Sequence, residues 1–238
     1  MYPIVFISGP PFDAPLWADV EARLQSHGFD TESWALFRGD SGRFQDELGR
    51  LLSHLTSKTS PTVLVGHGLG NPLVAAASCS ESIAGVVYTN GAFNRGGLLY
   101  RAVQALSAMP SRATMPWLRS SFGLRRLVVN PYVMDHDTTV AVCAPILKNK
   151  TRRQQMREFI RTVEWPAPNG GKNTLLCCGD GDRITDCNGL NFRDNNPENI
   201  TLNPIPGGRF LHPLERPWEL ADRIAGWLRN EATATQMS

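Results

Sequence analysis

Short aliphatic runs that stop abruptly at glycine or proline, with helical patterning between them, constrain this chain more than any other feature. Ile4-Val5-Phe6-Ile7 ends at Ser8-Gly9-Pro10-Pro11, and Thr62-Val63-Leu64-Val65 ends at Gly66. Ala84-Gly85-Val86-Val87-Tyr88, Thr174-Leu175-Leu176-Cys177-Cys178 and Ile200-Thr201-Leu202 are further runs of this kind, and residues 29–36 form a weaker one. Between them Leu16, Val20 and Leu24 recur at helical spacing before Gly28. Further helical patterns occupy 41–57, 72–80 and 217–229. Apolar strands alternating with helices predict right-handed crossovers onto a mostly parallel sheet, an α/β fold with helices on both faces. The tail after Asn230 is expected to be loose.

Residues 91–165 break the rhythm with helical patterns, several prolines and no clear strand. They read as an inserted helical cap on a core made of 1–90 and 166–238. The cap holds 12 Lys/Arg against 4 Asp/Glu (+8), and the rest holds 12 against 18 (−6), for a net charge of +2. A basic cap thus sits on an acidic body. At 238 residues, with 42 % apolar and 19 % charged residues, the chain suits one large soluble core. No run approaches the roughly 18 apolar residues of a membrane span, and the start lacks the features of a leader peptide. The expected location is the cytoplasm, with peripheral membrane contact left open. The odd, irregularly spaced Cys79, Cys143, Cys177, Cys178 and Cys187 suit reduced thiols rather than a disulfide framework or a metal site.

Val63-Leu64-Val65-Gly66-His67-Gly68-Leu69-Gly70 resembles the nucleophile elbow of α/β-hydrolases, G-x-S-x-G between strand and helix. Further landmarks of that family follow in order. Ser8-Gly9 stands where the family has His-Gly, and Trp17 suits the apolar position after it. Gly179-Asp180-Gly181-Asp182-Arg183-Ile184 resembles the turn that carries the acid, at Asp182. Residues 205–217, Ile-Pro-Gly-Gly-Arg-Phe-Leu-His-Pro-Leu-Glu-Arg-Pro, resemble the closing segment I-P-x-x-G-H-F-x-x-x-E-x-P. The likeness spans about 5 to 228. It implies an α/β-hydrolase fold with a degenerate triad, because the nucleophile position is Gly68 and the catalytic histidine position is Arg209. A narrower likeness, over Val86-Val87-Tyr88-Thr89-Asn90-Gly91-Ala92 and the basic cap, is to hydrolase-like proteins associated with bacteriochlorophyll biosynthesis.

Acyl transfer by this route needs a hydroxyl, a base to take its proton, and donors for the oxyanion. Gly68 offers no nucleophile. Arg209 keeps its proton and has no acceptor lone pair, so it cannot act as a base. Losing either group costs about a million-fold in a comparable triad. One oxyanion donor normally follows the His-Gly pair, but Pro10 and Pro11 have no N–H; Leu69 could supply only the other. Arg209 is expected to pair with Asp182 in place of the missing imidazole.

The resulting expectation is a non-hydrolytic protein that binds a small apolar or anionic ligand. The candidate pocket residues are Pro10, Pro11, His67, Gly68, Leu69, Asp182, Arg209 and His212. His67 and His212 read first as packed structural residues, and Asp13 as the cap of the following helix. The alternative is a non-serine lyase, isomerase or cyclase using His67, Asp182 or His212; a serine hydrolase by inheritance is the last reading. On the cap, Trp117, Phe122, Arg125 and Arg126 read first as a helix over the pocket, and otherwise as a surface for a membrane or an acidic partner. Arg153, Arg157 and Arg161 fall at i, i+4 and i+8, on one helix face. No cofactor or metal is expected, and nucleic acid is a poor fit because no binding motif accompanies the charge.

Overall fold

A computed structural model describes residues 2–91, 98–109, 136–166, 171–182, 184–185 and 199–236. Its sheet is built from β1 (Ile4–Ser8), β2 (Thr31–Trp34), β3 (Thr62–Gly68), β4 (Ile83–Gly91), β5 (Asn173–Cys177) and β6 (Ile200–Leu202). The spatial order is β2-β1-β3-β4-β5-β6, and every pair is parallel. β1 and β3 are buried along their whole length, as the uninterrupted apolar runs require. From β1 the chain winds outward to β2 and then returns to place β3 on the other side. The winding of the chain therefore reverses between β1 and β3, and the C-terminal ends of such a pair are where open α/β sheets bind ligands. Ser8 stands in register with His67 at that end.

Two strands run further than their apolar residues suggest. β3 continues through Gly66-His67-Gly68, and β4 continues through Thr89-Asn90-Gly91, pairing Gly68 with Gly91. Side-chain hydrogen bonds sustain this polar end. The Thr89 hydroxyl donates to the Gly66 carbonyl (2.8 Å), and Asn71 Nδ2 donates to the Thr89 carbonyl (3.0 Å).

The helices flanking the sheet are α1 (Ala18–Ser26), entered through a 3-10 turn at Ala14–Trp17, α2 (Phe44–Thr56), α3 (Asn71–Ala77), the short α7 (His212–Glu215) and α8 (Pro217–Gln236). The region after Asn230, expected to be loose, is helical through Gln236. Its Glu-Ala-Thr-Ala-Thr-Gln composition lacks apolar periodicity, yet it continues a helix already nucleated upstream.

Between β4 and β5 the described residues form α4 (Leu98–Ala108), α5 (His136–Leu147) and α6 (Lys150–Thr162), with no strand among them. Asn149 caps α6, its side chain accepting from Arg152 N–H (3.0 Å). Gln155, Met156, Phe159 and Ile160 form the buried stripe. That stripe lies against the segment before α2: Gln155 Nε2 donates to the Gly39 carbonyl (2.6 Å), and Phe44 N–H donates to the Thr162 hydroxyl (2.9 Å). In the same segment Phe37 adopts a left-handed backbone (φ 61°), and its N–H is held by the buried Glu47 carboxylate (3.2 Å). Glu47 is paired with Arg50 (2.7 Å), and burial raises its pKa.

One expectation is corrected by the cysteines. Cys79, Cys143 and Cys177 are free, but Cys178 is disulfide-bonded. Irregular spacing does not exclude a bond, because folding rather than sequence separation brings sulfurs together. Among the described residues no helix is long and apolar enough to cross a membrane.

Candidate functional site

The turn after β3 is the centre of the candidate site. Gly68 sits there at φ +62°, a conformation that costs a side-chain-bearing residue about 1–3 kcal/mol and glycine almost nothing. A Cβ placed on Gly68 would meet, among the described residues, only Phe210 Cζ at 3.6 Å. Phe210 borders this turn, and its buried ring lies 5.8 Å from that of the buried Phe12.

Gly9 packs directly on this turn, its ideal Cβ falling 2.2 Å from both Leu69 N and Gly70 N. The loop that follows has no spare amide hydrogen. Gly9 N–H donates to the His67 carbonyl (2.8 Å), Phe12 N–H to the Gly9 carbonyl (3.1 Å) and Asp13 N–H to the Val142 carbonyl (3.1 Å). Pro10 and Pro11, both buried and joined by a cis bond, have none to give.

His67 and His212 are completely buried, with ring centroids 6.5 Å apart. His67 packs among Phe12, Trp17 and Phe210, at 5.7, 6.1 and 4.6 Å between centroids. Its Nε2 meets the Phe210 carbonyl (2.8 Å), which fixes Nε2–H as the donor. His212 Nδ1 faces the Arg209 carbonyl (3.3 Å) in the same way. Burial pushes His67 down to about 4 despite that bond. His212 falls to about 3, through burial first and the neighbouring His67 second. Both rings are therefore neutral at pH 7. Burial also pushes the Cys143 thiol up to about 12, so it carries almost no thiolate.

The acid turn and the closing segment lie side by side. Gly181 N–H donates to the Gly208 carbonyl (3.0 Å), and Gly207 N–H to Asp180 Oδ1 (2.7 Å). A Cβ on Gly181 would stand 3.7 Å from Arg209 Cγ. The half-buried Asp182 accepts from Ile184 N–H (2.8 Å) and from the Thr185 hydroxyl. Arg209 is half-buried, and its backbone N–H donates to Glu215 Oε2 (2.7 Å).

Asn90, whose positioning role the sequence did not disclose, joins these parts. Its Nδ2 donates to the Arg209 carbonyl (2.7 Å) and its Oδ1 accepts from Gly179 N–H (2.9 Å). A buried amide at the C-terminal end of an apolar strand was the available signal. Asn90→Ala strands a buried N–H at Gly179. We expect it to lower stability by about 2 kcal/mol, read as a reduced urea midpoint, with faster amide exchange at 179 and 205–210.

Of the basic residues on α6, Arg161 is exposed, 3.4 Å from Glu158. Arg157 is exposed while its Nε–H donates to the Ser107 carbonyl, and Arg153 is half-buried with a shielded Nη1. The three therefore differ in environment despite their common spacing. Trp117, Phe122, Arg125 and Arg126 lie outside the described residues.

No family model matches the sequence, and no curated protein matches it. Solved structures do. A carboxylesterase of the thaumarchaeon Nitrososphaera gargenis is 18 % identical with a TM-score of 0.74, over 98 % of this chain and 92 % of that one. A thermophilic esterase from Thermogutta terrifontis is 17 % identical, TM-score 0.70, over 97 % and 90 %. An α/β-hydrolase-fold protein from Burkholderia ambifaria is 18 % identical, TM-score 0.69, over 94 % and 89 %. The chain has the α/β-hydrolase fold, with an all-parallel six-stranded sheet among the described residues. At these identities the likeness carries the fold alone.

Proposed function

We propose that this chain is a non-hydrolytic protein of the α/β-hydrolase fold. It holds a small apolar or anionic molecule at the β3–α3 turn, beneath the helices inserted between β4 and β5. The observation that carries the reading is the state of the turn itself. Gly68 brings no hydroxyl, and every amide hydrogen from 9 to 13 is either used or missing. Without a nucleophile and a donor pair, an ester bound here has nothing to attack it and little to stabilise an oxyanion. Arg209 in this reading balances the Asp182 carboxylate rather than moving a proton. A lyase or isomerase using His67 or His212 would need an imidazole free to exchange protons. Both are buried, and burial disfavours the imidazolium that such a step would form.

The purified protein is expected to hydrolyse p-nitrophenyl acetate and octanoate no faster than buffer. Gly68→Ser is expected to stay at that background as well, because the hydroxyl alone restores neither base nor oxyanion donors. Turnover above background by the wild type that survives repurification would overturn the non-hydrolytic half. Native mass spectrometry tests the binding half. A co-purified one-to-one adduct supports it; no adduct, together with no thermal stabilisation by octanoate, octanol or palmitate, overturns it.

A further inference from the structure

Asp13 does more than cap the turn that follows it. Its carboxylate is 8 % exposed and divides its oxygens between two partners. Oδ1 accepts from Ala14 N–H (2.8 Å), and Oδ2 accepts from Arg152 Nη1 (2.8 Å), 139 residues away on α6. The backbone of the same residue is equally committed. Its N–H donates to the Val142 carbonyl on α5 (3.1 Å), and its carbonyl accepts from the Ser8 hydroxyl at the end of β1 (3.3 Å) and from Leu16 N–H (3.0 Å). One residue thus ties two inserted helices to the end of β1 and to the loop that begins at Gly9, which packs on Leu69 and Gly70.

On its other flank α6 is held by backbone approach. Gly42 sits so close to Gln155 that a Cβ would fall 2.2 Å from the Gln155 carbonyl oxygen. A carboxylate taken out of water is tolerable only while its cation and hydrogen bonds persist. Removing the Arg152 guanidinium with α6 still in place would leave the buried Asp13 carboxylate without its cation.

We propose that the Asp13–Arg152 pair is a latch. It makes α5, α6 and the loop 9–13 one rigid wall over the β3–α3 turn, so that this wall opens only when the pair breaks. The inference goes beyond the proposed function and does not depend on any ligand.

Hydrogen exchange on the full-length, unliganded protein tests it, with Arg152→Met (which keeps the apolar stem) and Asp13→Asn (which keeps an acceptor for Ala14). Each substitution is expected to speed exchange at 12–16 and 139–147 together, by at least about tenfold, while β3 and β4 stay protected. The double variant should exchange no faster than the faster single variant, because both remove the same contact. Unchanged exchange at 12–16 in Arg152→Met, or effects that multiply in the double variant, overturns the latch. If Asp13→Asn fails to fold, Arg152→Lys replaces it. The retained charge without the planar fork should then give exchange rates between those of wild type and Arg152→Met, and rates equal to wild type in both Arg152 variants overturn the latch.

Discussion

Between pH 7 and pH 5 this protein is expected to lose about 4 kcal/mol of folding stability, about 2 kcal/mol from each of two histidines. His67 and His212 sit at about 4 and about 3 in the folded chain, against 6.5 for an ordinary imidazole. Below 6.5 the unfolded chain takes up protons that the folded chain refuses, so stability falls as the pH falls and continues to fall toward the folded values. Above 6.5 neither state binds those protons, and this contribution is flat. Glu47 works in the opposite sense: its carboxyl is raised by burial, so the folded chain holds that proton more firmly. Urea denaturation at pH 7 and pH 5 measures the difference. His67→Asn and His212→Asn should each remove about half of it. Equal stability at the two pH values would mean that the rings are not buried as described.

Gly9→Ala is the second large effect. The added methyl would fall 2.2 Å from two backbone nitrogens of the β3–α3 turn, and backbone cannot step aside as a side-chain tip can. Overpacking usually costs about 1–3 kcal/mol. With two main-chain clashes in the centre of the fold we expect at least about 3 kcal/mol, near the top of that range or above it. In a chain of this size that lowers the melting temperature by about 10 °C. Gly49→Ala is the matching control. It lies exposed within α2, with nothing within 4 Å of an added Cβ, so it should raise stability by about 1 kcal/mol. A Gly9→Ala protein that melts with the wild type would refute the close approach.

Where apolar runs ended at or just before glycine or proline, the strands were legible in the sequence. Ile4–Ile7, Thr62–Val65 and Ile200–Leu202 all lie within observed strands. Their extensions were not legible, because Thr89 and Asn90 prolong β4 through side-chain bonds that no periodicity encodes. The turn at Gly68 and the proline pair at 10–11 could be read directly, since each acts through a local property, one a permissive φ and the other a missing N–H. Contacts between distant residues stayed hidden. Arg152 lies beside Arg153 in a basic stretch that holds no sign of its partner, and only the fold brings it to Asp13. Motif position marks His67 and His212 as packed residues, but only the fold brings their rings to within 6.5 Å of each other.

The disulfide at Cys178 is flanked by a thiol that cannot disturb it. Exchange requires a thiolate, and burial pushes the adjacent Cys177 up to about 12. At neutral pH only about one Cys177 sulfur in a hundred thousand is in the attacking form. Scrambling from within β5 is therefore kinetically silenced. Cys143 is silenced in the same way. Of the free thiols described, the exposed Cys79 alone remains open to an alkylating label, which gives the folded chain a built-in reporter on the turn after α3.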